Sequence, residues 1–468
     1  MTPTRDVAEA TARRAFAASV RIGRRVSKLP VCTVSRSPTV QETSKPPRSQ
    51  VAACGEMVRT TSSESRTGSR MIQPVSTPIG RPIISAVTGT NGKTSVATAT
   101  LQLMKLIGWR AASYDSTGIT DVHGVLHEAK VRRSPDYLPN LIEYQARAGA
   151  NALSIEAFVG LLADGLFERV EVDTAVSTGL ERDHLDVHGS IEAYWRAKLT
   201  LFEEYLRTDG VAILATDSAQ GDLVRNAVRR RGARLITVGS GGEITLVDPD
   251  EVAGRLSARL AIGTDTFRVS LPTVHSIAVT NLLLAAAAVI GAGGEPAAVA
   301  DAIAHVAPPP GRLQLIAERD GVIAMVDTAH NPGALRTALE SVRCRTRGRI
   351  ILVFGAGGER DRGKRGEMGA VADKLADIAV LTDDNPRRES PDRIRSEVRV
   401  GAPNCIEIPR RKDAILAALE MARPGDTVLV AGKGDEKYQL VGTRRMPHDD
   451  RKVIRNAMTP SRTEDREE

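Results

Sequence analysis

The 468-residue sequence contains few aromatic residues, few cysteines and no long apolar segment. Phe, Trp and Tyr make up 3% of the chain, so we expect cores built from Leu, Val, Ile and Ala. The four cysteines show no C-x-x-C pairing, which disfavours a disulfide framework and a zinc site and favours a reducing compartment. No apolar run reaches the roughly 18 residues that a membrane span needs. These absences predict a soluble, cytoplasmic protein without a membrane partner, long enough for two or three domains.

The excess positive charge of the chain is confined to its first 80 residues. The formal net charge is +7, but residues 1–80 hold 13 basic and 5 acidic residues, which leaves 51 basic and 52 acidic residues in the remainder. The remainder is therefore nearly neutral, and a nucleic-acid partner is disfavoured. Residues 1–80 are rich in Arg, Ser, Thr and Pro and predict a disordered tail. A transit peptide, or an upstream start codon with the working start at Met57 or Met71, are the alternatives.

Beyond residue 80, apolar strands alternate with helices, and this alternation predicts an α/β fold with a mainly parallel sheet. Alternating polar and apolar residues at 244–274 predict an antiparallel annex to that sheet. A proline-rich run, Pro308 to Gly311, then separates a second, smaller, Rossmann-like α/β unit. The predicted domains are a disordered tail at 1–80, a central phosphate-binding domain at 81–309, a C-terminal domain at 310–457 and a disordered tail at 458–468.

The segment TGTNGKTS, Thr88 to Ser95, joins a predicted strand to a predicted helix. In that context its glycines turn backbone N–H groups toward phosphate oxygens, and the helix N-terminus adds further donors and positive dipole. Lys93 is expected to reach the β- and γ-phosphates of a nucleotide, and Thr94 to ligate Mg²⁺. The residues of this loop that we predict to bind nucleotide are Gly89, Thr90, Asn91, Gly92, Lys93, Thr94 and Ser95.

Lys198 interrupts an apolar stripe of the helix predicted at 191–207. Tyr194, Leu201 and Tyr205 share that stripe at helical spacing. A buried, unpaired ammonium is costly, so Lys198 either meets an anion or is chemically modified. The alternative is a side chain that extends along the helix to solvent.

The loop and several downstream motifs resemble those of the Mur ligase family, whose members use ATP to join a carboxylate to an amine. The matching strings are TGTNGKT at 88–94, TGLERDHLDVHG at 178–189, PGR at 310–312 and DTAHNP at 327–332. The resemblance extends over about residues 80–457. It implies the family fold, ATP as a substrate, two Mg²⁺ ions, and amide formation through an acyl phosphate.

Residue roles follow from the same resemblance, position by position. Glu156 and His184 would bind the second magnesium ion, and Lys198 would be carbamylated by CO₂ and so become an anion that helps to hold the metal. The predicted catalytic residues are Lys93, Lys198 and His184, the predicted metal ligands are Thr94, Glu156, His184 and Lys198, and the further predicted nucleotide contacts are Asn281, Arg312, Asp327 and His330.

Three C-terminal strings resemble the branch of the family that adds meso-diaminopimelate to a UDP-linked muramyl dipeptide in peptidoglycan precursor synthesis. They are VFGAGGERDRGKRGEMG at 353–369, DNPR at 384–387 and AGKGDEKYQLVG at 431–442. An arginine guanidinium can grip the distal carboxylate of a diamino acid through two parallel hydrogen bonds. The residues predicted to bind the diamino acid are Asp384, Asn385, Arg387, Gly432 and Glu436.

The match is weaker for the carboxylate donor. Residues 1–80 do not resemble the family's uridine-nucleotide-binding domain, and RSPD at 133–136 and EAFVGL at 156–161 differ from TTPD and EVSSHAL, which touch the muramyl dipeptide in that family. Asp435 also replaces a family histidine. The donor is therefore open between the muramyl dipeptide and another peptide or small acid, and a nucleotide-binding protein without turnover is the third alternative. A monomer acting on small molecules is expected in both enzymatic alternatives.

Overall fold

The computed structural model describes residues 80–128, 134–183, 188–218, 220–252, 255–272 and 276–459. All of them lie in the compact unit Val75–Glu468. His184, Arg133 and nearly all of the two predicted tails lie outside the described residues. None of the helices in the described part of the chain is long and apolar enough to span a bilayer.

An eleven-stranded sheet forms the first half of this unit. Its strand order is β11-β10-β9-β8-β7-β6-β1-β5-β2-β3-β4, and the strands from β9 to β2 in that order pair in parallel. The strands are β1 (Ile83–Thr88), β2 (Ala111–Asp115), β3 (Gly118–Thr120), β4 (Leu126–His127), β5 (Ala152–Glu156), β6 (Val172–Ser177), β7 (Leu206–Ala215), β8 (Arg234–Val238), β9 (Ile244–Val252), β10 (Arg255–Ile262) and β11 (Asp265–Leu271).

Helices cover both faces of this sheet, because its strands are apolar on both sides. Ile84 and Ala86 of β1 pack into one core and Val87 into the other, as the two-residue period of a strand requires. The helices are α1 (Lys93–Leu106), α2 (Tyr137–Arg147), α3 (Val159–Ala163), α4 (Ile191–Thr200), α5 (Gly221–Arg231), α6 (Ser276–Gly291) and α7 (Pro296–Ala302). The α/β class and the antiparallel annex, β9 to β11, are confirmed.

A second sheet, of six strands, follows in the chain. Its order is β12-β13-β17-β14-β15-β16, and every pair except β12–β13 is parallel. The strands are β12 (Gln314–Arg319), β13 (Val322–Asp327), β14 (Ile350–Phe354), β15 (Ile378–Leu381), β16 (Ile406–Glu407) and β17 (Thr427–Ala431), with a separate hairpin of β18 (Tyr438–Val441) and β19 (Arg444–Pro447). The helices are α8 (Pro332–Arg343), α9 (Gly363–Leu375), α10 (Pro391–Arg399), α11 (Arg411–Met421) and α12 (Asp450–Met458).

The single helix predicted at 191–207 is wrong in its second half. Helix α4 ends at Thr200, a π-helical turn occupies Leu201–Tyr205, and β7 begins at Leu206. The wider turn still directs Leu201 and Phe202 into the core. Within α4 the buried side chains are Tyr194 and Lys198, so the stripe that contains the lysine is the one that faces the protein.

The strand ends bring distant segments to one edge of each sheet. In the first sheet, the end of β1 lies beside Glu156 of β5 and Ser177 of β6. In the second, Asp327 of β13 lies beside Ala431 of β17, and Phe354 of β14 lies beside Leu381 of β15. The carboxyl ends of parallel strands are where open α/β sheets bind ligands.

Candidate active site

The loop between β1 and α1 has a conformation that requires glycine. Gly92 has φ of +83°, and a Cβ at this position would lie 2.8 Å from Oδ1 of Asn281. The segment after β6 supports the loop from behind, because the Thr90 N–H donates to the Gly179 carbonyl at 2.8 Å. The Glu181 N–H in turn donates to Thr90 Oγ1 at 2.8 Å. The loop thus presents its backbone to the space at the N-terminus of α1.

Two predicted metal ligands meet behind this loop. Thr94 Oγ1 donates to Glu156 Oε2 at 3.0 Å, and both side chains are buried. The Ser116 N–H donates to the same carboxylate oxygen at 3.2 Å, and its hydroxyl lies 3.3 Å from Thr94 Oγ1. Hydroxyl and carboxylate oxygens are the ligands that Mg²⁺ prefers, so this donor set fits magnesium. Within the described ranges, no three His, Cys, Asp or Glu side chains converge as a metal site, and His184 lies outside those ranges.

Lys93 and Lys198 approach the loop from its two sides. Lys93 Nζ donates to the Thr90 carbonyl at 3.0 Å, and loss of hydration lowers the pKa of Lys93. Lys198 is 1% exposed, and its Nζ donates to the Gly89 carbonyl at 2.6 Å and lies 4.6 Å from the centroid of the Tyr194 ring. Burial, and then the charge of Lys93, hold the pKa of Lys198 well below its usual value. Lys198 therefore does not extend to solvent, and the charges of Asp183 and Glu156 oppose this lowering of its pKa only in part.

A cavity of about 540 Å³ lies beside the loop. Pro272, Ile277, Leu282 and Leu315 supply an apolar wall, and polar atoms come from both halves of the unit. The size and the mixed lining suit a nucleoside. The predicted nucleotide-binding residues that line the cavity are Asn91, Gly92, Ser95, Asn281, Arg312 and Asp327.

The remaining predicted nucleotide contacts lie around the start of β12 and the end of β13. Arg312 Nη2 lies 3.5 Å from Thr94 Oγ1, so this side chain reaches the phosphate loop. The carboxylate of Asp327 accepts the N–H groups of Leu313 and Ala329, each at 2.8 Å, and burial raises the pKa of Asp327. His330 has its Nδ1 2.7 Å from the Thr328 carbonyl and does not line the cavity.

Residues that sequence reasoning missed join the phosphate loop to the second sheet. Asn331 caps α8 by accepting the Ala334 N–H at 2.9 Å, and its Nδ2 donates to Asn91 Oδ1 at 2.9 Å and to Asp183 Oδ2 at 3.2 Å. Lys364, at the start of α9, lies 3.3 Å from Asp183 Oδ1, and both side chains are nearly buried. Asparagine directly before a proline indicates a helix N-cap at Asn331. The sequence does not indicate that the same side chain contacts Asn91 and Asp183.

The five residues predicted to bind the diamino acid lie together at the carboxyl edge of the second sheet. Asn385 Nδ2 donates to Glu436 Oε2 at 3.0 Å, and a Cβ at Gly432 would lie 2.6 Å from Asp384 Oδ2. Arg387 has φ of +53°, held by hydrogen bonds of its N–H and carbonyl to the β18 end of the hairpin. Its Nη1 donates to the Gly358 carbonyl at 2.7 Å.

Two basic residues in this pocket were also missed. Lys433 has a fully buried side chain, and its Nζ donates to Asn385 Oδ1 at 2.8 Å and to the Tyr438 carbonyl at 3.0 Å, with Glu436 Oε2 at 3.2 Å. The second is Arg360, whose positive charge acts on Arg387. The pKa of Arg387 is lowered mainly by burial and next by the charge of Arg360. In the sequence, only the neighbouring glycines of the string GKG indicated that Lys433 lies in a tight turn at this pocket. The pocket therefore contains several charges that a zwitterionic diamino acid could match.

Comparison with known families divides the chain into two matching segments. Residues 87–289 match the Mur ligase middle domain, and residues 311–434 match the Mur ligase glutamate ligase domain.

Curated proteins with the name of one ligase are similar to the chain over most of their length. UDP-N-acetylmuramoyl-L-alanyl-D-glutamate–2,6-diaminopimelate ligase from Zymomonas mobilis is 38% identical over 385 residues, which cover 81% of this chain and 79% of that protein. The enzyme of the same name from Rhizobium meliloti is 37% identical over 375 residues, covering 80% and 77%.

Solved structures show the same fold. A structure of a UDP-N-acetylmuramoyl-L-alanyl-D-glutamate–2,6-diaminopimelate ligase superimposes with a TM-score of 0.55 at 32% identity, covering 81% of this chain and 78% of that one. Mycobacterium tuberculosis folylpolyglutamate synthase complexed with ADP gives a TM-score of 0.62 at 20% identity, covering 75% and 88%, which shows the fold alone.

Proposed function

This chain belongs to the Mur ligase family, and on that premise we propose that it uses ATP to join meso-diaminopimelate to UDP-N-acetylmuramoyl-L-alanyl-D-glutamate. The observation that carries the proposal is the contact between the phosphate loop and the second sheet, Asn91 to Asn331 and Thr94 to Arg312. These contacts join the phosphate loop to the residues that follow β13 and precede β12, which supports transfer between a nucleotide and a substrate bound by the second sheet. The names of the relatives supply the substrates.

The proposed reaction forms and breaks two bonds. A carboxylate oxygen of the donor attacks the γ-phosphorus of ATP, and ADP leaves. The amine of the diamino acid then attacks the acyl carbon, phosphate leaves with the bonding electrons, and the amine proton is released. Lys93 and Arg312 would offset the charge that gathers on the transferred oxygens, so the protein acts by positioning and electrostatics. Magnesium, held by Thr94 and Glu156 together with the predicted ligand His184, would supply further positive charge there.

We assign the carbamylated state to Lys198 as part of the same proposal. Its amine is buried against the Gly89 carbonyl and beside an aromatic ring, and its pKa is held well below its usual value. A neutral amine is the form that reacts with CO₂, and carbamylation would convert it into an anion close to the predicted metal ligands. The modification requires CO₂, so it should respond to bicarbonate.

The diamino-acid pocket is assigned to Asp384, Asn385, Arg387, Gly432 and Glu436. Arg387 is the residue expected to recognise the distal carboxylate, since its guanidinium can form two parallel hydrogen bonds. We assign the phosphate loop and most nucleotide contacts to residues 81–309, the contacts of Arg312, Asp327 and His330 and the amine pocket to residues 310–457. ATP is a cytoplasmic substrate, and we further propose that the chain acts in the cytoplasm as a monomer.

A different carboxylate donor is the second candidate. Phe158, in the segment that departs from the family pattern, packs edge-on against Tyr114 with ring centroids 6.3 Å apart, and Tyr137 packs against the same ring at 5.9 Å. Phe158, Val159 and Gly160 thus stand where the family pattern has two serine hydroxyls and an imidazole. Such a surface favours a less polar donor than the muramyl dipeptide.

A donor screen with the purified chain separates these candidates. Phosphate release from ATP is measured with meso-diaminopimelate and, in turn, the UDP-linked dipeptide, the free dipeptide and small acids, and the product mass is recorded. We expect release that requires both the diamino acid and the UDP-linked dipeptide. Release only with another acid would support the second candidate, and no release with any acid would overturn the ligase proposal. The Lys93→Ala variant should be inactive in every arm.

A further inference from the structure

Arg411, the first residue of α11, is fully buried although it belongs to none of the motifs described above. Its Nε and Nη2 donate to the two carboxylate oxygens of Asp450 at 2.9 and 2.7 Å, and Nη2 also donates to the Ala431 carbonyl at 2.8 Å. Asp450 is itself fully buried and begins α12. These contacts fix the plane of the guanidinium and leave one edge for another partner.

That edge faces the diamino-acid pocket. Arg411 Nη1 lies 4.0 Å from Oδ2 of Asp384, and neither atom makes a hydrogen bond within the described residues. The other oxygen of Asp384 accepts the Asn385 N–H at 2.7 Å, so the carboxylate is held at one side only. Two facing, buried polar atoms without hydrogen bonds are unusual in a native protein.

Gly432 leaves room for the carboxylate of Asp384. A Cβ there would lie 2.6 Å from Asp384 Oδ2 and 3.9 Å from Arg411 Nη2, and the φ of +113° also favours glycine. The absence of a side chain at Gly432 therefore lets Asp384 Oδ2 occupy this position. The guanidinium of Arg411, 4.0 Å away, attracts that oxygen without donating a hydrogen bond to it.

We propose that Arg411 is a positioning residue for the diamino acid: its charge, 4.0 Å from Oδ2 of Asp384, holds that carboxylate in the orientation in which Oδ2 can accept an ammonium group of the substrate. Without Arg411, the carboxylate would be held through its other oxygen alone and could turn away from the ammonium. Asp450 has a separate task, which is to hold the guanidinium in place. The inference rests on the proposed function, because it takes the pocket around Asp384 to be the amine site.

The test must separate positioning from folding, because loss of one partner of a buried ion pair destabilises a protein. Arg411→Met combined with Asp450→Leu removes both charges and leaves an apolar contact, an exchange that is often neutral for stability. We expect the Michaelis constant for the diamino acid to rise about tenfold, because Asp384 would no longer be held in the orientation that accepts the ammonium group. The Michaelis constant for ATP should stay within about twofold of the original, because the cavity is not touched.

Two further variants complete the experiment. Arg349→Met removes a guanidinium that pairs with Asp426 at the opposite edge of the sheet, and it should leave both Michaelis constants unchanged. Arg411→Lys keeps the positive charge, but one ammonium cannot pair with Asp450 and face Asp384 at the same time. It should therefore raise the Michaelis constant for the diamino acid. This variant still tests the proposal if the double variant fails to fold. A folded double variant, or the lysine variant, with an unchanged constant for the diamino acid overturns the proposal.

The two proposals fail in different ways. If the original chain releases phosphate with another amine and not with meso-diaminopimelate, the proposed function is wrong. The Michaelis constant for the amine that the chain does accept is then compared between the original chain and the Arg411 variants. This comparison still decides whether Arg411 acts on the pocket. If meso-diaminopimelate is the substrate and Arg411 has no effect on it, only the inference about Arg411 is wrong.

Discussion

Lys198 is 1% exposed, and its amine lies against the Gly89 carbonyl and the Tyr194 ring, a position that we propose is explained by carbamylation. We expect Lys198→Ala to lower turnover by about 100-fold or more, because the anion that helps to hold the metal would be lost. Short carboxylates such as formate should restore part of the activity by supplying an anion. Turnover is measured by phosphate release with and without added bicarbonate.

The control for this prediction is Lys374→Ala, which removes an exposed lysine from α9 and should have no effect. Full turnover by Lys198→Ala, or an intact mass of the protein that never shows added CO₂ under bicarbonate, would contradict the carbamylation.

Arg387 has a left-handed backbone conformation, and its guanidinium donates to the Gly358 carbonyl at 2.7 Å. Arg387→Lys should raise the Michaelis constant for meso-diaminopimelate about 10- to 100-fold, because hydrogen bonds to a charged group contribute about 1.5–3 kcal/mol. The constant for ATP should change little. Initial rates at varied concentrations of each substrate give both values.

Arg388→Lys is the matched control, because Arg388 is the exposed neighbour in the chain. Discrimination against L-lysine, which lacks the distal carboxylate, should also weaken in Arg387→Lys alone. Equal changes in the two Michaelis constants would remove Arg387 from the amine pocket.

At the level of single elements, the turn that leads into α1 depends on Gly92 for two reasons, its φ of +83° and its approach to Asn281. Gly92→Ala should therefore weaken ATP binding about tenfold or more, since the loop must shift to relieve both. Gly108→Ala is the control, because Gly108 has φ of +89° but a Cβ at this position would have no neighbouring atom within 4 Å.

Gly108→Ala should cost about 1 kcal/mol in the free energy of unfolding, from the backbone conformation alone, and leave ATP binding unchanged. Calorimetric titration with ATP and thermal unfolding distinguish the two effects. Similar loss of ATP affinity in both variants would mean that backbone strain, and not the contact with Asn281, controls the loop.

For the molecule as a whole, a buried ion pair links the two sheets through Asp183 and Lys364. Lys364→Met should lower kcat about tenfold, because the phosphate loop and the diamino-acid pocket would no longer be held at a fixed separation. The Michaelis constant for ATP should change less, since Lys364 does not line the nucleotide cavity. Steady-state kinetics and the radius of gyration from solution scattering provide the measurements.

Lys374→Met alters the same helix at its exposed end and serves as the control. An unchanged kcat together with an unchanged scattering profile in Lys364→Met would show that this pair does not hold the two sheets together.

The sequence by itself determined the local features. The α/β class followed from apolar strands alternating with helices, and the phosphate loop and Asp384 to Arg387 were predicted because each is a short contiguous string with its own signal. The helix predicted at 191–207 was wrong because residue spacing cannot distinguish an α-helical turn from a π-helical one at Leu201–Tyr205.

Only the tertiary structure decided which of these features touch. Asn331 and Asp183 are 148 positions apart in the chain, and Lys364 and Asp183 are 181 positions apart. Likewise, Arg411 belonged to no motif and Lys433 had no predicted role within its motif, yet their charged groups are buried beside Asp384 and Asn385. The physical reason is that a buried charge is stabilised by partners from distant strand ends, and chain order does not specify which ends meet.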